Sequence, residues 1–223
     1  CLELAPDIAS SIVAMAPTPE VVFLTSWLIL LWRHTGTTEI AIGVACESRQ
    51  DEDLADACGP FTNTLPLQIQ LSNMMVFSAL LRQVDQAWQD LNEWQDYFSI
   101  SQTGQSTLPV GFEFVTQPEA TMAAGIKFQL DRQWVYGENP ELRLTVIQQG
   151  SRLSLEFHYD AAVMGAAAIA ALANQFSTLL SHISQQPTAA IGEFSLSKRQ
   201  PLFKADSQTN ISLRPTCIHQ LFE

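Results

Sequence analysis

Basic residues are scarce in this chain of 223 residues: 11 Lys and Arg stand against 23 Asp and Glu, a formal net charge of −12. A field of that sign repels phosphate backbones and anionic lipid heads, so neither nucleic acid nor a membrane surface is expected as a partner. Long apolar runs are missing too. The longest, from Val21 to Trp32, is interrupted by Thr25 and Ser26 and stopped by Arg33. It falls short of the roughly 20 residues that a bilayer crossing needs and reads as a buried helix. Cysteine is sparse, and Cys1, Cys46, Cys58 and Cys217 form none of the close pairs of zinc sites or redox motifs. Four free thiols of a cytoplasmic protein are expected, with Cys46 and Cys58 able to approach across a loop. No basic start with an apolar stretch and a small-residue cleavage site marks export, and the opening on Cys1 fits a piece cut from something larger.

Catalytic signatures are equally thin. The chain has no GxSxG elbow, no phosphate-cradling glycine loop ending in Lys-Ser or Lys-Thr, no GxGxxG and no HExxH pair. His34 ends a helical pattern, where an imidazolium would meet the negative pole of the dipole, which gives it a capping role. His158 closes a strand beside Tyr159 and Asp160, and polar groups at strand ends usually serve turns. His182 is expected on the solvent side of the last helix, and His219 lies beyond a polar stretch.

What is present suffices for a folded core, since 47% of the residues are hydrophobic. The length allows one ordinary core plus something small, or two tightly paired lobes. Thr18 and Pro19 predict a helix start, apolar residues from Val21 to Leu31 cover most of its surface, and Gly36 stops it. Ile40, Ile42 and Val44 alternate with Ala41, Gly43 and Ala45, the pattern of a central strand whose small-residue face admits a close neighbour. A charged loop follows, then residues 59–66 and a short strand at 67–71. Ser72 or Asn73 is placed to cap a helix that carries Phe77, Leu80, Val84, Trp88 and Leu91 along one stripe. Residues 102–107 read as a polar loop, 110–116 as a strand and 127–130 as another. Leu142, Leu144 and Val146 face Leu153, Leu155 and Phe157 across a turn at Gly150, a β-hairpin. Ile169 to Ile183 mark a helix that Pro187 ends, and residues 198–215 have linker composition. This order predicts an α/β fold, a layered mixed β-sheet packed with helices.

The most unusual stretch is Gly59-Pro60-Phe61-Thr62-Asn63-Thr64-Leu65-Pro66-Leu67. Two prolines restrict the backbone, and Asn63 with Thr62 and Thr64 offers side-chain hydrogen bonds. Such a loop should hold one shape and present amide or hydroxyl groups; the plainer alternative is a stiff connection into the next strand.

GPFTNTLPLQ resembles the GxFxNTLPLR motif of condensation domains from nonribosomal peptide synthetases. SWLILLWRHTGTTEIAIGVACESR is similar to the helix, glycine, strand and arginine run before that motif. LRLTVIQQGSRLSLEFHYDAAVMGAAAIAALANQFSTLLSHISQQPTAAIGEFSL is similar to the closing hairpin, helix and PxxxIxxxxL ending, and CIHQLFE to the IHxLFE run that opens an adenylation domain. The resemblance covers nearly the whole chain and implies a chloramphenicol-acetyltransferase-like lobe, half of a two-lobed domain with a tunnel between its halves. It implies residues 1–197 as the C-terminal lobe, 198–215 as linker and 216–223 as the start of an adenylation domain. In such domains carrier-bound thioesters meet in the tunnel, and an acceptor amine attacks the donor thioester to form a peptide bond in secondary-metabolite biosynthesis.

The family's catalytic histidine belongs to an HHxxxDG motif in the N-terminal lobe, and this chain has no HH pair. No catalytic residue is therefore assigned here, and the lobe alone is expected to be inactive. The alternative is a non-catalytic lobe that scaffolds carrier and adenylation domains. By the resemblance, Gly59, Phe61, Asn63 and Thr64 match the motif with Thr62 between them, and Gln68 replaces the usual basic residue. Asn63 is the candidate for a polar contact near the reaction centre, and Arg49 matches the arginine that follows the strand. The implied partners are the N-terminal lobe, peptidyl carrier domains that present substrates on phosphopantetheine, and the adjacent adenylation domain, with no cofactor or metal bound directly. Residues 93–98 stand where many members carry an HxxxPFE-like run, and an RDxSRNPLF element is hardly visible at 106–114, so donor and acceptor preference do not transfer. A lobe built to pack against a sibling should also expose an apolar face and self-associate.

Overall fold

A computed structural model describes residues 1–47, 59, 61–95, 108–130, 140–194 and 196. The polar loop at 102–107, Arg49, Cys58, Cys217, His219 and the linker with the adenylation start lie outside the described residues. In chain order the elements are β1 (Leu2–Glu3), α1 (Pro6–Val13), α2 (Pro19–Thr35), β2 (Glu39–Glu47), β3 (Thr62–Gln70) and α3 (Phe77–Trp94). They continue with β4 (Val110–Gln117), β5 (Thr121–Ala123), β6 (Ile126–Phe128), β7 (Leu142–Gln149), β8 (Arg152–Tyr159) and α4 (Ala166–Gln185). Among the described residues six strands form one mixed sheet in the order β1-β8-β7-β4-β2-β3, and β5 and β6 form a separate pair. Strands β2, β4 and β7 run parallel, while β3, β8 and β1 are antiparallel to their neighbours.

The period-2 patterns decide which face is buried. Ile42 and Val44, Leu65 and Leu67, Phe112, Leu144 and Val146, and Leu153 and Leu155 share one face by register and are buried. Against that face lies α2, which touches β2, β4 and β7 and is itself flanked by α1, α3 and α4. Every residue from Val21 to Trp32 is buried as a result, as an apolar surface on all sides requires. Thr25 and Ser26 survive there because their hydroxyls donate to the carbonyls of Val21 and Val22, both at 2.7 Å, within the helix. Trp27 packs edge-on against Phe157 and Phe176 at 6.1 and 5.9 Å, tying α2 to β8 and α4.

Turn chemistry follows expectation at two glycines: Gly36 ends α2 at φ 72° and Gly150 turns the β7–β8 hairpin at φ 58°. The start of α2 follows it too, with Thr18 at the N-cap and Pro19 opening the helix, although the Thr18 side chain makes no capping bond. The start of α3 does not. The N-cap of α3 is Val76 rather than Ser72 or Asn73, because the amide of Phe77 finds its acceptor in the distant carbonyl of Ala189 at 3.0 Å. Tertiary contact replaces the local cap. The strand expected at 127–130 is β6, paired with β5 outside the main sheet. Elements β1 and α1 carry no expectation from the sequence, a two-residue strand and a two-turn helix being too short for periodicity to reveal.

Candidate functional site: the motif strand and the carboxyl ends of the parallel strands

The segment expected to be a rigid loop is mostly a strand. From Thr62 the chain runs as β3 along β2, pairing Thr62 with Glu47, Asn63 with Cys46, Thr64 with Ala45 and Pro66 with Gly43. Pro66 is tolerated because β3 is the last strand of the sheet, and an edge needs no amide on its free side. The expected short strand at 67–71 therefore begins five residues early. Proline and threonine together look like a loop, but on an edge they are also compatible with a strand.

At the head of β3 the motif divides between the two faces of the sheet. Asn63 is opposite Cys46 on the helix side yet is exposed at the rim, and Thr62 is exposed beside it. Phe61 is half-buried with its ring against Gly59, where a Cβ would sit 3.1 Å from the ring. Thr64 lies on the other face, where its methyl closes over Gly43. A Cβ on Gly43 would come within 2.8 Å of that methyl, so the expected close approach to the small-residue face of β2 is made by the motif itself. Gln68, in place of a basic residue, donates its amide to the Glu39 carboxylate.

This region coincides with the carboxyl ends of the parallel strands β2, β4 and β7, where open α/β sheets usually place their ligands. The N-terminus of α2 meets it there. Glu20, half-buried in the first turn of α2, has its carboxyl pushed up to about 7 by burial. A helix N-terminus favours a carboxylate, and here burial outweighs it. The neighbouring Cys46 thiol is pushed up to about 12, first by burial and then by the Glu20 charge, so it stays neutral. In sequence Glu20 looks like an ordinary dipole-complementing residue after Pro19; only the fold, by folding β2 against it, makes it unusual.

On the outer face of the same strands stands a second group that the sequence did not disclose. The Glu113 carboxylate on β4 accepts from the Thr145 hydroxyl at 3.1 Å and lies 3.8 Å from Nε of Arg143, both on β7. On β8, His158 lies 3.3 Å from Glu156. Register alone brings these together: Glu113 faces Thr145, Arg143 faces His158, and Thr145 faces Glu156.

His34 and His158 make side-chain contacts within the lobe. His34 Nε2 is 2.6 Å from Gln175 Oε1, joining the end of α2 to α4. Asp160, beside His158, accepts the Ala162 amide at 2.8 Å and caps the turn that follows, as strand-end polar groups do. His182 is half-buried in the last turn of α4 rather than on its solvent side, and its carbonyl accepts from Gln186 at 2.9 Å. Among the described residues no group of His, Cys, Asp and Glu is arranged to hold a metal ion, and no helix is long and apolar enough to cross a membrane.

A half-open mixed sheet with its helices on one side and a polar strand head at the carboxyl ends defines a two-layer α/β lobe. Comparison with known proteins gives it a family: the condensation-domain model matches residues 15–201, and the chain belongs to the condensation domains of nonribosomal peptide synthetases. It is 27% identical over 222 residues to a linear gramicidin synthase polypeptide of Brevibacillus parabrevis, a match that takes in 92% of this chain but 4% of that synthase. It is 24% identical over 185 residues to the nonribosomal peptide synthetase sirP of Leptosphaeria maculans, 78% of this chain and 8% of that protein. The fold is shared with the first condensation domain of the CDA synthetase at a TM-score of 0.71 and 18% identity, over 88% of this chain and 47% of that one. It is shared also with holo-AB3403, a four-domain synthetase bound to AMP and glycine, at a TM-score of 0.75 and 14% identity over 88% and 17% of the chains. The fold is thus the chloramphenicol-acetyltransferase-like lobe that the motifs implied.

Proposed function

We propose that this chain is the C-terminal half of a condensation domain that joins carrier-bound aminoacyl or peptidyl thioesters through an amide bond. The observation that carries this reading is a length: 88% of the chain superposes on 47% of an isolated condensation domain, one lobe of two. In this reading the missing half supplies the proton acceptor, since none of the four histidines is paired as HH. The imidazoles of two of them, His34 and His158, lie against Gln175 and Glu156 within the lobe. Asn63 and Thr62, exposed at the head of β3, then offer hydrogen bonds to a substrate arriving on phosphopantetheine.

The lobe also carries the apolar surface that a sibling should cover. Met122, Ile126, Phe128 and Leu130 are 65%, 59%, 56% and 38% exposed on and beside the β5–β6 hairpin, far more than an isolated two-stranded hairpin tolerates without a partner. The proposal includes residues 198–215 as a linker, 216–223 as the opening of an adenylation domain, and the cytoplasm as the compartment. A scaffold lobe without catalysis is the second reading, favoured by the departures at residues 93–98.

Three assays test these readings. Carrier-loaded aminoacyl groups incubated with this chain alone should give no dipeptide, and measurable product would overturn the half-domain reading. In the complete synthetase, Asn63→Ala should lower the condensation rate by about tenfold, the effect of removing one well-placed hydrogen bond; an unchanged rate would favour the scaffold. Light scattering of the isolated chain should show self-association, and a clean monomer at high concentration would count against a face built for a sibling.

A further inference from the structure

The chain does not run straight off the lobe after α4. Residues 186–194 fold back and lie along the connection at 72–77 that leads into α3. The Ile191 amide donates to the Met75 carbonyl at 2.8 Å, the Gly192 amide to Asn73 at 3.2 Å, and the Phe77 amide to Ala189 at 3.0 Å. Val76 and Ala190 pair as an isolated antiparallel bridge between them. Two tight turns, closed by Ala189 on Gln186 at 3.1 Å and by Glu193 on Ala190 at 2.9 Å, shape the segment itself.

Side chains lock this arrangement from two directions. Ile191 and Phe194 are buried, and the Phe194 ring meets Phe77 edge-on at 6.4 Å. Arg33, in the last turn of α2, donates Nη1 to the Gly192 carbonyl at 2.8 Å. Gly192 itself has no room for a side chain: a Cβ would lie 2.8 Å from the Asn73 carbonyl oxygen, a backbone atom that cannot swing aside. Residues far apart in sequence, at 33, 73–77 and 189–194, thus converge on one short stretch of backbone.

We propose that residues 186–194 are a clasp that fixes the point and direction at which the chain leaves the lobe, so that whatever follows is carried on the ends of α2 and α3 instead of trailing from α4. A fixed exit removes orientational freedom from the next unit and raises its effective concentration at one side of the lobe. The clasp also serves α3, because the amide of Phe77 has no side-chain cap and depends on Ala189. That the unit carried is an adenylation domain rests on the proposed function; the clasp does not.

Hydrogen exchange on the 223-residue chain tests it independently of any following domain. In the unmodified protein the amides of Phe77, Ile191 and Gly192 should exchange at least about 100-fold more slowly than free peptide, as buried hydrogen-bonded amides do. Arg33→Gln and Gly192→Ala should each speed those three amides by about tenfold and leave the α4 amides unchanged, the signature of local opening. Free-peptide rates in the unmodified protein would overturn the clasp. So would equal acceleration of α4 in both variants, which would make the segment an ordinary part of the core. No change in either variant would overturn the part assigned to Arg33 and Gly192.

Discussion

On the helix side of the sheet Ile42, Val44, Leu144 and Leu155 are fully buried, whereas on the other side the same strands carry Glu113 and Arg143, 18% and 19% exposed, and the exposed Thr64. One set of backbones supports both faces, since successive side chains alternate. The helix face is held by contact area, and its energetics are those of close packing. The open face is held by register, which sets Glu113 against Thr145 and Arg143 against His158. Partly exposed ion pairs of this kind add little to stability, so the open face is free to carry polar groups that a substrate or a second lobe could use. The difference teaches where substitution should hurt folding and where it should hurt only function.

Trp27→Ala should produce the largest effect. It removes the ring that joins α2, β8 and α4 and should cost about 3–5 kcal/mol in urea unfolding. Trp27→Phe sharpens the point, because the indole Nε1 has no hydrogen-bond partner among the described residues. Most of the packing is then kept and no donor is orphaned, so a loss of under about 2 kcal/mol is expected. A loss as great as that of alanine would show that the indole has an unseen partner.

Glu20→Gln probes the rim where the faces meet. With its pKa raised to about 7 in the folded state from 4.5, the native protein holds the Glu20 proton more tightly than the unfolded chain. Its stabilising contribution is present below the unfolded value and is lost as pH rises through about 7. The glutamine variant should therefore match the parent most closely below pH 4.5 and exceed it at pH 8, by on the order of 2 kcal/mol. A difference independent of pH would remove burial as the cause.

Gly43→Ala crowds the open face instead. The new methyl meets that of Thr64, and either the strand or the Thr64 rotamer must give, at about 1 kcal/mol. Thr64→Ser in the same chain removes the opposing methyl and should recover most of the loss; additive losses in the double-mutant cycle would mean the two residues do not touch. The smallest effect belongs to the hairpin that stands apart from both faces. Phe128→Ser, on an exposed ring, should change stability by under about 0.5 kcal/mol while reducing self-association in light scattering.

Elements with strong internal periodicity were legible before any fold was known. The α2 run, the β7–β8 hairpin with Gly150 and the α4 stripe all stand where alternation or three- and four-residue spacing puts them. So was the start of α2 at Thr18 and Pro19; that of α3 was not, because the Phe77 amide finds its acceptor across the molecule at Ala189. The motif residues Gly59, Phe61, Thr62, Asn63 and Thr64 could be picked out by type, but loop and edge strand share a vocabulary of proline and threonine. Arg49 lies outside the described residues.

The sequence by itself determined the layered α/β class, the long helices and which residues of β2, β7 and β8 turn inward, since these depend on neighbours a few positions away. Only the tertiary structure decided that β3 is the edge, that the Glu20 charge reaches the Cys46 thiol and that Glu113 shares a patch with Thr145 and Arg143. Each of those facts joins residues from separate strands or from a helix and a strand. Their distance is set by sheet order and register, quantities that no local pattern contains.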